Sequence, residues 1–192
     1  MSKLTPEFYK RTDVVQITKE LLGKYIFTNI NGELTGGIIT EAEAYAGIID
    51  RASHAWNNRR TKRTETMYME GGVAYVYLCY GIHSMFNIVT NKKDIPHAIL
   101  IREVKPTTGT GIILKRRGKT KLTDEICSGP GSVTQGLGIK TSHDKTDLTG
   151  KLIWLEDQGT KIKEKEIMSG PRVGVDYAGE DASLPYRFWI GI

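Results

Sequence analysis

Residues 24–45 read KYIFTNINGELTGGIITEAEAY, and this stretch decides the fold of the chain. Residues 24–30 carry the aromatic and β-branched side chains that are typical of a strand. Asn31-Gly32 follows at once, and this dipeptide is a strong signal for a tight turn because both residues tolerate a positive φ. Residues 37–45 are predicted to be the returning strand, so the stretch indicates an antiparallel hairpin.

Before this hairpin, the sequence predicts one helix. Asp13 can cap its first turn, and Gly23 can end it. Between them, Val14, Ile17 and Leu21 recur at helical spacing, which places them on one apolar face.

After the hairpin, the chain is predicted to be mostly strand. The expected strands are Val73–Cys79, Ser84–Thr90, Ala98–Val104, Leu152–Leu155, Arg172–Val175 and Arg187–Ile190. Tyr80-Gly81 and Asn91–Asp94 connect the first three of these, and such short connections favour antiparallel pairing. A helix is predicted to open at Pro130 and to stop near Gly138, whereas the pattern of residues 107–121 does not decide between helix and loop.

Residues 46–70 differ from the rest because they are polar and show no sustained hydrophobic period. We predict a long surface loop with at most one short helical turn, and a loop of this length in a compact domain is usually functional or disordered. Basic residues cluster within this segment at 59–63, and a second basic cluster lies further along the chain at 115–121. These clusters could contact phosphates or could form a solvated positive face.

The composition is that of an ordinary globular protein. The 192 residues are 39% hydrophobic and 26% charged, which argues against general disorder and suffices for one hydrophobic core. We therefore predict a single domain, residues 1–192, of the α+β class. Its centre is expected to be a curved, mostly antiparallel β-sheet flanked by a few helices.

Charge and cysteine usage narrow the class of protein further. The net charge of +5 permits a polyanionic partner without requiring one. Cys79 and Cys127 are too few for a disulfide framework or a zinc site, so both are expected to be reduced thiols. The sequence has no N-terminal signal segment and no apolar run of ~18 residues, which predicts a soluble, intracellular protein.

Glu41, Glu43 and Tyr45 alternate along the second strand of the hairpin, so they share one face. This pattern fits the solvated face of an edge strand, and it also fits a pair of catalytic carboxylates. Residues two apart on a strand have Cα atoms about 6.6 Å apart, close to the ~6.5–9.5 Å separation of the carboxylates in inverting glycosidases. Spacing alone leaves both interpretations open.

Tyrosines and histidines supply the other candidate site residues. Tyr75 and Tyr77 share a strand face, and core packing is the usual role of such side chains. Tyr80 falls at a turn, where core packing explains it less well. The four histidines, among them His54 in the long loop, show no metal-ligand spacing, so no metal site is predicted.

Taken together, several segments resemble the alkyladenine (3-methylpurine) DNA glycosylase family, in the order in which that family carries them. The matching segments are TEAEAY at 40–45, RASH at 51–54, YVYLCYG at 75–81, MFNI at 85–88, LIREVKP at 100–106, CSGP at 127–130 and RVGV at 172–175. The resemblance covers nearly the whole chain, from about residue 4 to its end. It implies a monomer that acts without metal or organic cofactor on double-stranded DNA containing damaged purines.

The resemblance also implies catalytic roles. Glu43 matches the residue that deprotonates the attacking water, and Arg102 matches a residue that helps to hold that water. The backbone near Val173 is expected to hold the same water, and Glu41 is left with a structural role. Tyr80 matches the side chain that enters the minor groove where the nucleotide has left.

A second set of residues matches the base-binding pocket of that family. Tyr45, His54 and Tyr77 would sandwich the flipped base. Backbone amides at Ala52 and His54 would contact the edge of the base. Asn87 matches the residue whose amide crowds the exocyclic amine of normal guanine.

The implied reaction is hydrolysis of the N-glycosidic bond of 3-methyladenine, hypoxanthine or ethenoadenine nucleotides. No lysine nucleophile is evident near the Glu43 strand, so no strand cleavage is expected. The compact chain resembles bacterial members of the family, which implies a location in the bacterial cytoplasm, at the nucleoid. Two alternatives remain: a hydrolase of free nucleosides or glycosides that uses Glu41 and Glu43, and a non-catalytic DNA-binding module.

Overall fold

The structure is a computed structural model that describes residues 2–191, and these residues form nine strands, four α-helices and seven 3-10 turns. The strands are β1 (Ser2–Lys3), β2 (Tyr25–Ile30), β3 (Glu33–Tyr45), β4 (Ala74–Cys79), β5 (His83–Thr90), β6 (His97–Thr108), β7 (Ile153–Asp157), β8 (Met168–Gly170) and β9 (Arg187–Trp189). The α-helices are α1 (Pro6–Tyr9), α2 (Val14–Leu21), α3 (Thr110–Arg117) and α4 (Pro130–Leu137). The 3-10 turns are Gly47–Ile49, Trp56–Asn58, Glu65–Tyr68, Asp124–Cys127, Thr141–His143, Glu164–Glu166 and Asp176–Ser183.

All strands join one antiparallel sheet in the order β1-β7-β2-β3-β6-β5-β4, and β9 pairs with both β3 and β8. Along one edge, β3 pairs first with β2 and then with β9, while its other edge pairs with β6. Three register shifts interrupt the β3–β6 ladder, and such bulges bend and twist a sheet. The prediction of an α+β fold with a curved antiparallel sheet and a few helices is confirmed.

The predicted hairpin lies at the centre of this sheet. Asn31 and Gly32 have φ values of 56° and 79°, the positive values that a two-residue hairpin turn requires. The returning strand begins at Glu33, so the predicted start at residue 37 is too late. The reason is that Gly36 and Gly37 weaken the strand signal although both lie within the ladder.

Both helices that the sequence predicts are confirmed. The side chain of Asp13 caps α2 by accepting a hydrogen bond from the amide of Gln16 at 2.9 Å. The other helix, α4, is followed by Gly138, whose φ of 74° ends it. Residues 107–121 comprise the end of β6, the helix α3 and an irregular stretch after it.

The strand predictions after the hairpin are confirmed with small shifts, except for Arg172–Val175, which is wrong. Residues 172–175 form a turn in which Gly174 has a φ of 71°, and the nearby strand is β8. The alternating pattern looked like a strand, but the side chain of Arg172 is drawn into a buried ion pair with Asp50.

The prediction that residues 46–70 form a surface loop is also wrong in part. The segment contains three 3-10 turns, and its inner side is buried. Ala55, Met67 and Tyr68 pack against Tyr75 of β4, and each of the four side chains is at most 2% exposed. Because these apolar residues follow no helical or strand period, their burial depends on contacts that only the tertiary fold creates.

The two cysteines are free thiols, as expected. Burial raises the pKa of Cys127 to about 11, so this thiol stays protonated at neutral pH. Within residues 2–191, no helix has both the length and the apolar character needed to cross a bilayer.

Candidate active site

A cavity of about 400 Å³ opens where β3, β4, β5 and β6 meet the folded segment 46–70 and the turn at 172–175. The residues predicted from the sequence to form the site come together there, although they lie far apart in the chain. Those that line the cavity are Tyr45, Ala52, His54, Tyr77, Tyr80, Asn87, Arg102 and Val173.

Glu43 lies directly behind this lining, and its side chain is fully buried. Its Oε2 accepts a hydrogen bond from the hydroxyl of Tyr45 at 2.8 Å, and its Oε1 accepts one from the amide of Val173 at 2.8 Å. Arg102 Nη1 lies 3.4 Å from the same Oε1. We call Glu43, Tyr45, Arg102 and Val173 the pocket wall, because these four residues separate the core from the cavity.

Burial raises the pKa of Glu43 above its ordinary value of 4.5. The charge of Arg102 and the hydrogen bonds from Val173 and Tyr45 oppose this rise, while Glu41 adds to it. Three neighbours thus favour the charged form of the carboxylate, but burial outweighs them and leaves its pKa raised. A carboxylate in this position is suited to accept a proton.

Glu41 is in a different situation although it lies two residues away on the same strand. Its Oε1 accepts a hydrogen bond from Arg102 Nε at 2.8 Å and lies 3.5 Å from Arg187 Nη1. Register shifts of the β3–β6 ladder occur on both sides of Glu41. Glu41 thus orients Arg102 towards Glu43, and it is absent from the described residues that line the cavity.

Aromatic rings form one side of the cavity. The ring of His54 meets the ring of Tyr77 edge-on at 4.7 Å between centroids, and its Nδ1 lies 3.0 Å from the hydroxyl of Tyr75. Burial, followed by the charges of Arg63 and Arg59, lowers the pKa of His54 to about 4. The imidazole is therefore neutral at pH 7 and can serve as an uncharged stacking surface.

Sequence reasoning missed the ion pair that supports this arrangement. Arg172 binds both oxygens of Asp50, at 2.5 and 2.8 Å, and its guanidinium lies 4.8 Å from the ring centroid of Tyr45. Asp50 also accepts hydrogen bonds from the amides of Ala46 and Ala52. The RVGV match contained Arg172, but nothing in the sequence connected it to a partner 122 residues away.

Two of the predicted base-contacting residues, Ala52 and Asn87, already form hydrogen bonds within the protein. The amide of Ala52 donates to Asp50 Oδ1 at 3.0 Å, so this donor is already engaged, whereas no hydrogen bond of the His54 amide occurs within residues 2–191. Asn87 is 4% exposed and donates from Nδ2 to the carbonyl of Tyr75 at 3.2 Å. That hydrogen bond fixes the side-chain amide of Asn87 at the cavity.

The β4–β5 turn carries the most exposed aromatic side chain near the cavity. Tyr80 is 93% exposed and has a φ of 50°, a left-handed conformation that costs a non-glycine residue ~1–2 kcal/mol. Leu78 and Ile82 beside it are also exposed. We call Leu78, Tyr80 and Ile82 the hairpin tip; a strained turn that presents three apolar side chains to solvent is typical of a binding surface.

Within residues 2–191, no three His, Cys, Asp or Glu side chains are grouped closely enough to hold a metal ion.

Comparison with known proteins agrees with this geometry. The model of the methylpurine-DNA glycosylase family matches residues 7–191. A protein of Chlamydia felis, provisionally named 3-methyladenine DNA glycosylase, is 43% identical over 190 residues, which cover 98% of this chain and 96% of the relative. Proteins with the same provisional name in Chlamydia abortus and Clostridium acetobutylicum are 42% and 38% identical over 98% of this chain, and over 98% and 94% of their own lengths.

The class of protein follows from the fold, the cavity and these matches: an enzyme that hydrolyses N-glycosyl bonds in DNA. The chain belongs to the methylpurine-DNA glycosylase family. The family resemblance drawn from the sequence and the prediction of a DNA-3-methyladenine glycosylase are confirmed at this level.

Proposed function

We propose that the protein flips alkylated or deaminated purines out of duplex DNA and hydrolyses their N-glycosidic bonds with a water activated by Glu43. The observation that carries this proposal is a fully buried carboxyl group, paired with Arg102, behind a cavity lined by aromatic rings. A cavity of about 400 Å³ is within the usual size range of small-molecule pockets.

In the proposed reaction, the oxygen of water forms a bond to C1′ of the sugar while the bond from C1′ to the base nitrogen breaks. The base leaves with the electron pair of that bond, and Glu43 accepts the proton of the water. The sugar gains positive charge on the way, and the same carboxylate stabilises it. Because Arg102 and Val173 both contact Glu43 Oε1, they would orient the carboxylate that positions the water.

Recognition of the base would rest on stacking. Tyr45, His54 and Tyr77 provide aromatic surfaces on the cavity, and stacking on such a surface contributes ~1–3 kcal/mol per base. Asn87 would exclude the exocyclic amine of guanine, and Tyr80 would fill the gap in the duplex. Because the amide of Ala52 already donates to Asp50, the His54 amide is the better candidate for a hydrogen bond to the edge of the base.

We also propose that residues 1–192 act as one domain and as a monomer in the bacterial cytoplasm, without strand cleavage. The family match over residues 7–191 and the single sheet support the assignment of one domain. The alternative of a two-carboxylate hydrolase is less well supported, because Glu41 is engaged by two arginines, Arg102 and Arg187.

Base release from duplexes that carry 3-methyladenine, ethenoadenine or hypoxanthine tests the proposal. Release of at least one of these bases, with no adduct trapped by borohydride, is the expected result. Release from free nucleosides but from none of the duplexes would favour the alternative hydrolase, and tight DNA binding without any release would favour a non-catalytic module. An adduct with borohydride would overturn the monofunctional assignment.

A further inference from the structure

Two tyrosines that line the proposed base pocket, Tyr45 and Tyr77, each already contact a guanidinium. Arg172 Cζ lies 4.8 Å from the ring centroid of Tyr45, and Arg63 Cζ lies 5.1 Å from that of Tyr77. These distances are typical of cation–π contacts. The electron-rich faces that would attract a positively charged base are therefore shared with two positive charges of the protein itself.

The two arginines differ in charge balance and in position. Arg172 is buried and its charge is matched by Asp50, so the pair is neutral as seen from the cavity. Arg63 lines the cavity, and among the ion pairs within residues 2–191 none joins it to a carboxylate. Arg63 thus adds a positive charge at the base site that no neighbouring carboxylate neutralises.

The neighbours of Arg63 respond to that charge. It lowers the pKa of His54, after burial, and it opposes the rise in pKa that burial imposes on Tyr75 and Tyr77. A charge that reaches three residues of the pocket also reaches a base bound among them. A cationic purine such as 3-methyladenine would be repelled, whereas a neutral purine such as hypoxanthine could stack against the planar guanidinium without that penalty.

Resting on the proposed function, we propose that Arg63 is a specificity-determining residue that shifts the enzyme from cationic towards neutral damaged purines. Arg63 does not touch the reacting atoms in this account. It changes the rate at which cationic bases are released relative to the rate for neutral bases.

The test is a single-turnover measurement of base release at saturating enzyme, with 3-methyladenine and with hypoxanthine in otherwise identical duplexes. The quantity to compare is the ratio of the two rates, cationic over neutral. In Arg63→Gln this ratio is expected to rise roughly tenfold, the effect of one charge a few ångströms from another in a partly screened site. Arg63→Lys, which keeps the charge, should retain more of the wild-type ratio.

Arg59→Gln is the matched control. Arg59 lies in the same segment and also lowers the pKa of His54, but it lines a neighbouring depression rather than this cavity. If the ratio is unchanged in Arg63→Gln, or changes equally in Arg59→Gln, the proposal is wrong and Arg63 contributes only to general attraction for DNA. Because both positions are exposed, folding should be unaffected, and equal melting temperatures verify this. Absence of release by the wild type from both of these duplexes and from an ethenoadenine duplex would instead refute the proposed function itself.

Discussion

The pocket wall and the hairpin tip are close in space but are built on opposite principles. In the pocket wall, Glu43 and Arg102 are largely removed from solvent, and the carboxylate oxygens of Glu43 each have a partner. At the hairpin tip, Tyr80 and Ile82 are 93% and 73% exposed, on a turn with a left-handed non-glycine residue. The first region is organised before any ligand arrives, whereas the second can gain apolar contacts only from a partner.

Stability and function therefore depend on the two regions to different degrees. The buried Asp50–Arg172 ion pair supports the pocket wall, so breaking that pair should affect folding and chemistry together. The hairpin tip contributes little to the core, so changes there should affect function alone.

The largest effect on stability is expected at the ion pair behind the pocket wall. Asp50→Ala leaves Arg172 buried without a carboxylate and should lower the free energy of unfolding by ~3–5 kcal/mol. Asp94→Asn removes the charge of an exposed pair with Arg60 and keeps a residue type that tolerates the positive φ at this position, so it should cost under ~1 kcal/mol and serves as the control. Urea unfolding of both variants measures this, and equal losses would show that the buried pair does not support the wall.

A large effect on function with almost none on stability is expected at the hairpin tip. Tyr80→Ala should slow base release from duplex DNA by about 10- to 100-fold, because a stacking contact of ~1–3 kcal/mol is lost. The melting temperature should stay at the wild-type value, since the side chain of Tyr80 is 93% exposed and alanine keeps the Cβ that carries the strain of the positive φ. Single-stranded substrate provides the control: an equal loss on single strands would argue against a wedge that acts on the duplex.

A moderate effect is expected on the pH dependence of base release when the hydroxyl of Tyr45 is removed and its ring is kept. The base form of Glu43 is required, so base release should fall as the pH drops through the raised pKa of Glu43. Tyr45→Phe removes a hydrogen bond that lowers this pKa, so the acid limb of the pH–rate profile should move to higher pH. Tyr75→Phe, whose hydroxyl contacts His54 instead, should leave the limb in place. Identical profiles for wild type and Tyr45→Phe would contradict the assignment.

The smallest expected effect is on the stability of a Glu43 variant. A carboxyl group whose pKa is raised by folding stabilises the fold fully below its unfolded pKa, and that contribution is lost as the pH rises through the folded value. Glu43→Gln avoids this loss, and Arg102 keeps Glu41 as a partner at 2.8 Å. Its free energy of unfolding at pH 7 should therefore lie within ~1 kcal/mol of the wild type or above it. A loss of several kcal/mol would mean that the carboxylate is needed for folding.

Local signals in the sequence were enough for the hairpin and for α2. Asn31-Gly32 and the cap Asp13 act through neighbouring residues, so their effect can be read without the tertiary structure. The burial of Ala55 and Met67 and the turn at Arg172 could not be predicted, because they depend on contacts across the fold.

The two carboxylates of β3 show the same limit. Spacing places Glu41 and Glu43 on one face, and it does not tell them apart. The register shifts beside Glu41 and the two arginines that bind it make the difference. The family resemblance assigns the catalytic role to Glu43, and the burial and hydrogen-bond partners of this carboxyl group support that assignment.

The central claim is that Glu43, and not Glu41, is the carboxylate that activates water. The most direct test is the single-turnover rate of base release at saturating enzyme for Glu43→Gln and for Glu41→Gln, with both variants shown to be folded and bound to the lesion duplex. Loss of a general base predicts a rate about 10²- to 10⁴-fold below the wild type for Glu43→Gln and a much smaller loss for Glu41→Gln. Wild-type rates in Glu43→Gln, or an equal loss in both variants, would contradict the account.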